Sequence, residues 1–585
     1  VSEAWSRKRS FALLLFFLAL ALFSYRKALS GDFIFDDNLR IADFAVVDGK
    51  ATIEPLPAYK EGLFKVLATV LSDRPLLMTS IWANYKIGGA NPFGYKLVNI
   101  LLHGFTAWIF FLFLQSAAAF FHMKASFLYA ALLAAIFLVH PLHNQAVTMV
   151  IQRGVLLSSC FGLISLIFAF RYLEGKSWNY SLGSGFFFLC ALLAKPNVLT
   201  IPFMILVFSL AARKRSGWLD LFVPLSLAYI FPSVFYLGYR DNFYPESAGA
   251  GNWLNYGLVQ SKVIFHYVRQ FFYPVDLNVS YPIDKIAELR AVWPYCLAHV
   301  FFAGLALKYS FRGKLAAAAV LCFYLALLPE SGFFPIPHVV FDHRAYFPFL
   351  LFCLAAYALL INLSDSRSKK IIFVAALAII FSLNALNDKR NAENSDYVSW
   401  LKNAVNKNRN DHPVNVNLIN LLIALKRFEE AAQLSKELSE LFPDYPEYRF
   451  LANIVGHDSH ERMLEAAVLP EFEFLSDSTR SSILQALLEK YKNIPDRIRG
   501  MEEAYALLQT QEMYFSREPY KNLHLAYENT RIVLHPYFSR TAASGFLSAY
   551  QTELWLDVAP AVQGSERQMP LMLQYLYWKK TKGIP

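Results

Sequence analysis

The 585-residue chain is too long for one compact domain, and it is 56% hydrophobic and only 17% charged, where soluble globules carry about 25% charged residues. Its formal net charge of +10 sits in short basic clusters between apolar runs, with no basic stripe beside a reading motif. This argues against a nucleic-acid partner and fits the cytoplasmic anchors of membrane helices.

Taken in chain order, the first apolar run, Phe11 to Phe23, follows Arg7-Lys8-Arg9 and is not followed by a small-residue cleavage site. It reads as an uncleaved first helix rather than a signal peptide. A span needs roughly 20 apolar residues to cross a hydrocarbon core of about 30 Å. On that measure about eleven spans are predicted: 11–29, 97–121, 126–143, 147–171, 178–194, 197–212, 218–239, 292–308, 314–330, 345–363 and 371–387. The stretch 256–273 is interrupted by Lys262, His266 and Arg269 and closed by Pro274, which suits an interfacial or re-entrant helix. The five cysteines, Cys160, Cys190, Cys296, Cys322 and Cys353, all lie in apolar runs and read as small core residues, with no disulfide framework or zinc site.

With the N-terminus inside, alternation puts Lys124, Arg171/Lys176, Arg213-Lys214-Arg215, Lys308/Arg312/Lys314 and Arg367/Lys369/Lys370 in the cytoplasm, as the charge rule requires. Arg26 and Lys27 fall on the wrong side. The outward segments are then 30–96, 240–291 and 331–344, and residues 391–585 form a helical domain on the same outer side. Within it NLINLLIALKRFEEAAQLSKELSELFP, over about 415–445, repeats Leu and Ala at helical spacing and looks like one tetratricopeptide-type hairpin. One repeat cannot bury its own faces, so further helices are expected over 444–585, as a solenoid or a plain bundle.

Charged groups at membrane depth or at helix mouths are costly and are default functional candidates. Asp36-Asp37, Arg74, His140, His143, Lys195, Tyr281 and Asp342-His343-Arg344 all map to the outer face in this topology. Adjacent carboxylates near an apolar surface have split pKa values, so one of the Asp36-Asp37 pair suits a general base; the alternative is a helix cap. His140-Pro141-Leu142-His143 offers metal ligands, hydrogen bonds to a substrate, or buried interfacial histidines. Arg153, read as two turns into the fourth span, needs an acidic partner or an anionic ligand. Arg344 has the planar fork that suits a phosphate, or else snorkels among aromatic anchors, and Lys195 carries the same two readings.

These motifs fall in one order: FDD, RPLLMTSIWANYKIGGANPFGYKLVNILLH, HPLHNQAV followed by Arg153-Gly154, LLAKP, FYPVDLNVSYP, FDHRAYFP and the tetratricopeptide-like tail. The series resembles the transmembrane and tetratricopeptide-repeat-containing protein O-mannosyltransferases and their bacterial relatives, over roughly residues 10–445. The resemblance implies an all-α, polytopic membrane glycosyltransferase of the GT-C class, with residues 1–390 as its transmembrane domain. It implies a polyprenyl-phosphate-linked sugar donor, a hydroxyl acceptor such as Ser or Thr of a protein on the non-cytoplasmic face, and an inverting transfer. In that family the acidic motif of the first outward loop supplies the catalytic carboxylate, here Asp36 or Asp37, with Asp36 preferred. Arg74, His140, His143, Arg153, Lys195, Tyr281, Asp342, His343 and Arg344 are then candidates for holding substrate or donor phosphate.

Two departures stand out: Asp342-His343-Arg344 replaces a frequent Glu-Arg, and only one repeat is evident. A bacterial inner-membrane protein with its active site and C-terminal domain in the periplasm is the expected setting. No cofactor is expected; a divalent cation is the alternative for a pyrophosphate donor. The rival readings are a glycosyltransferase acting on a lipid or envelope polysaccharide, and a non-catalytic scaffold or transporter. Transport predicts broken helices and mid-bilayer charges in both halves, whereas the charges here crowd toward one face.

Overall fold

The computed structural model describes residues 2–452 apart from 35, 48–49, 70–73, 215–216, 244–252, 283–288, 332–338, 363–365, 395, 426, 446–447 and 449–450; residues 453–585 lie outside the described part. The chain divides into two compact units. One comprises Val1–Ala45 and Ala51–Asp411, the other Val46–Lys50 and His412–Pro585. The helix Tyr397–Lys407 therefore belongs with the first unit, beyond the boundary at 390 that composition suggested. Its buried Trp400, Leu401, Ala404 and Val405 and the bond from Lys407 to the carbonyl of Leu277 (2.9 Å) show why.

The first unit is a bundle of apolar helices, and the protein is a membrane protein. Among the described residues five helices are long and apolar enough to cross a bilayer: Pro92–Phe120, Val150–Gly175, Arg290–Ser310, Asp342–Leu360 and Lys369–Glu393. A sixth arises if the pair Phe127–Val139 and Pro141–Thr148, bent by 51°, counts as one span. Trp178–Ala194, Pro196–Ala211, Trp218–Ile230 and Leu315–Ser331 are shorter apolar helices. The one remaining segment predicted as a span, 11–29, falls in the helix Ser2–Ser24 and the 3-10 turn Arg26–Ser30. Two helices are central, with 78% of the apolar window of Val150–Gly175 and of Asp342–Leu360 buried in protein, whereas Arg290–Ser310 (11%) and Lys369–Glu393 (17%) turn most of their apolar surface outward, as lipid-facing helices do.

Without a hydrophobic drive between helices in lipid, close approach of small residues holds the bundle. A Cβ on Gly104 would lie 3.1 Å from the Phe17 carbonyl and from Ala21 Cβ, so the first and second spanning helices meet backbone to backbone there. The segment predicted as a long outward loop, 30–96, is largely structured. It holds the helices Asp36–Arg40, Pro57–Glu61, Leu63–Thr69 and Pro75–Gly88 and a two-stranded ribbon, Ala42–Val47 with Lys50–Pro55, the one strand pair among the described residues. A small core of Phe33, Ile41, Tyr59, Val66, Leu77, Met78, Ile81, Tyr95, Val150 and Ile151 fastens this segment to the bundle.

Two sets of polar ties define the two poles of the bundle. At one pole Asn391 donates to the Ser24 carbonyl (2.8 Å), Asn144 to Asn387 (3.0 Å), and Lys195 pairs with Glu330 (2.8 Å). Arg26 and Lys27, the two cations that broke the charge rule, both pair with Asp388 there, at 2.9 and 2.6 Å. At the other pole Ser126 N donates to Tyr357 (3.0 Å), Tyr172 donates to Asp220 (2.8 Å), and Lys214 pairs with Glu174 (3.2 Å). Segments assigned to one side by alternation thus meet at one pole.

In the second unit the helices His412–Ala424 and Phe428–Leu441 form a hairpin. His412 is hydrogen-bonded to Tyr448 (2.7 Å). The further helices expected over 444–585 lie, from 453 onward, outside the described residues.

Candidate functional site

The adjacent carboxylates at 36 and 37 have opposite surroundings. Asp37 is fully buried, and its Oδ1 accepts from Ile151 N (2.8 Å) while Oδ2 accepts from Val150 N (2.9 Å) and Ile34 N (3.4 Å). It caps a remote irregular segment and not its own short helix. Burial pushes its carboxyl up to about 6, against the pull of those amides and of Lys96. Asp36 is only partly buried. Burial raises its carboxyl too, opposed by the cations Arg40, Arg74 and Lys195, which are close enough to act on it.

Lys195 is 6% exposed and lies at the break between Trp178–Ala194 and the turn Pro196–Val198. Besides its ion pair with Glu330, it interacts electrostatically with Arg74 and Arg344, and Glu330 interacts with the same two arginines. Arg344 donates to the Val339 carbonyl (3.2 Å) and lies over the Phe341 ring. Asp36, Arg74, Lys195 and the 330–344 segment that carries Glu330 and Arg344 thus come from four stretches of chain into one charged cluster. Glu330 was missed as a candidate from sequence, although it stands in the LLPESGFFPIPHVVFDHR run that flagged Arg344; a carboxylate in the last turn of an apolar helix was the available signal.

The helix Trp253–Phe272, expected to lie at the interface, braces this cluster. Tyr256 donates to the Glu330 carbonyl (2.8 Å), Gln260 to the Val339 carbonyl (2.9 Å) and Tyr267 to the Phe341 carbonyl (3.0 Å). Glycine at 154 lets the Lys195 turn approach: a Cβ there would meet the Ala194 carbonyl at 3.0 Å and Lys195 Cβ at 3.5 Å.

The other candidates lie elsewhere. Arg153 stands at the head of its helix, Arg153–Gly175, and not two turns inside it. A 3-10 turn, Val150–Gln152, leads into it, and Asp37 and Asn99 satisfy the backbone there: Asn99 donates toward the carbonyls of Val147 (3.2 Å) and Met149 (3.3 Å). Arg153 itself donates to Asn99 (2.7 Å), the Ser80 carbonyl (3.0 Å) and the Tyr95 carbonyl (3.1 Å), all of them neutral protein oxygens. His140 takes a bond from Leu142 N (3.2 Å) and donates Nε2–H to the Phe271 carbonyl (3.2 Å). His143 is fully buried among Phe137, Tyr346 and Phe349 with neither ring nitrogen hydrogen-bonded. Tyr281 donates to Asp342 (2.6 Å), whose carboxylate also interacts with Arg390 and Lys407. His343 contacts Gln145 Oε1 through its backbone N (3.0 Å) and Nδ1 (3.0 Å). Asp342, His343 and Arg344 therefore point three ways, and only Arg344 joins the cluster around Asp36. Among the described residues no three His, Cys, Asp or Glu side chains converge as a metal site needs.

No protein-family model and no solved structure matches the chain. Curated proteins do. A protein O-mannosyl-transferase of Caenorhabditis elegans is 25% identical over 358 residues, covering 58% of this chain and 50% of the relative. The human protein O-mannosyl-transferase TMTC2 is 24% identical over 331 residues (49% and 38%), and Drosophila melanogaster Tmtc1 is 30% identical over 187 (31% and 21%). The chain is a homologue of the TMTC protein O-mannosyl-transferases. It spans half or less of the length of these relatives. The charged cluster lies within the first unit of the chain.

Proposed function

We propose that this chain is a membrane glycosyltransferase of GT-C type. It moves a sugar from a polyprenyl-phosphate-linked donor to a hydroxyl acceptor, Ser or Thr of a protein, on the non-cytoplasmic face. The observation that carries the proposal is the meeting of a partly open carboxylate, Asp36, with Arg74, Lys195 and Arg344 at one pole, in a homologue of proteins named O-mannosyl-transferases.

In this reading the acceptor hydroxyl oxygen attacks the anomeric carbon and Asp36 takes its proton. The bond from that carbon to the phosphate oxygen breaks with inversion, and the electron pair leaves on the lipid phosphate. Arg74, Lys195 and Arg344 hold that developing charge, which is where fixed cations accelerate a reaction. Burial beside cations suits the base: its pKa lies above the ordinary carboxylate value, so it is a better proton acceptor than an exposed aspartate.

Asp36→Asn should lower transfer from a radiolabelled lipid-phosphate sugar by about 10²–10⁴-fold with membrane insertion unchanged; wild-type turnover in that variant refutes the base assignment. Partition of the label between protein and lipid extracts identifies the acceptor class. The mechanism uses no cation, so activity should survive a strong chelator. Loss restored by a divalent ion would replace the mechanism with a metal-assisted one.

A further inference from the structure

The ion pair between Lys195 and Glu330 ties two helix ends together, but it places a carboxylate where one is costly. Glu330 falls in the last turn of the helix Leu315–Ser331, where the helix dipole disfavours a carboxylate. It is nearly buried, with 15% of its side chain exposed against 8% for Lys195, so desolvation adds to the cost. What holds it is the cation set, Lys195 at 2.8 Å with Arg344 and Arg74 nearby, and Tyr256 fixes its carbonyl. These are the cations that the proposed function assigns to the donor phosphate. A carboxylate and a phosphate oxygen have similar size and charge and are bound by the same donors.

Resting on that reading, we propose that Glu330 is an internal counter-ion. It occupies Lys195 while no donor is bound, yields it to the arriving phosphate, and limits how much negative charge the site accepts. With Glu330 still nearby, a lipid carrying one phosphate is accommodated better than one carrying a pyrophosphate. Glu330 acts as a positioning and specificity residue and takes no part in bond making.

The test uses the full chain in nanodiscs and measures the affinity of a short isoprenyl phosphate and of the matching isoprenyl pyrophosphate by calorimetry. Glu330→Gln should tighten the pyrophosphate more than the monophosphate, moving the affinity ratio by roughly tenfold. Glu330→Asp should keep the wild-type ratio. An unchanged ratio in Glu330→Gln, or weaker binding of both ligands, overturns the proposal. Should Glu330→Gln fail to fold, a structure of the wild-type chain with isoprenyl phosphate decides: Lys195 and Glu330 apart supports the exchange, and an intact pair beside bound phosphate refutes it. Wild-type protein that binds neither ligand removes the donor-site reading itself, whereas binding indifferent to Glu330 removes only this inference.

Discussion

Asp36 and Asp37 are one bond apart in the chain and chemically identical, yet the fold gives them different work. Asp37 holds three backbone amides, and replacing its carboxylate by an amide turns one acceptor into a donor facing N–H groups. Asp37→Asn should therefore destabilise the detergent-solubilised protein by about 1–3 kcal/mol, read as a lower thermal midpoint. The pH dependence carries a sign that distinguishes it. A carboxyl whose folded pKa is raised from 3.8 to about 6 binds more protons folded than unfolded, so its contribution is full below about 4 and is lost as pH rises through about 6. Thermal scans across that window should show the slope in wild type and a shallower one in Asp37→Asn, since the buried Asp342 carboxyl contributes as well. Asp36, in contrast, should appear in the rate: activity should fall on acidification with an apparent pKa above the ordinary carboxylate value, and a flat profile would remove it as base. The pair of carboxylates was visible in the sequence, but the choice between them was not. Asp37's partners, Val150 and Ile151, lie far along the chain, and no local spacing announces them.

The irregular stretch between Val139 and Arg153 decides the neighbourhood of the site. Pro141 ends the helix Phe127–Val139, as its missing N–H and fixed φ dictate, and the bend of 51° follows. That much could be read from HPLH. The tight 3-10 turn Val150–Gln152 ahead of Arg153 could not, because hydrophobicity continues through Val150 and Ile151 and the tertiary hydrogen bonds from Asp37 and Asn99 that satisfy this stretch come from far along the chain. Gly154, next in line, leaves room for the Lys195 turn. Gly154→Val should cost about 1–3 kcal/mol through overpacking and raise the KM for donor by displacing Lys195. Unaltered stability and KM would show that the contact is slack.

For the molecule as a whole, alternation of apolar runs and basic clusters assigns a side to every loop, and polar ties join some of the helix ends so assigned: Ser24 with Asn391, Lys195 with Glu330, and Glu174 with Lys214. In a cysteine-free background, single cysteines at Asp32 and Asp276 should react with an impermeant maleimide on intact cells, and cysteines at Lys124 and Arg312 only after lysis. Opposite labelling of positions 32 and 276 would break the shared site. The sequence left Arg26 and Lys27 as exceptions because their neutralising partner, Asp388, lies at the far end of the membrane unit.

That clasp orders events during biosynthesis. Ser24, Arg26 and Lys27 emerge from the ribosome long before the side chains that satisfy them, Asp388 and Asn391. Until the helix Lys369–Glu393 is inserted, the end of the helix Ser2–Ser24 carries two uncompensated cations. A nascent chain halted before residue 388 should therefore be a marked target for membrane quality control, however many of its helices already cross the bilayer.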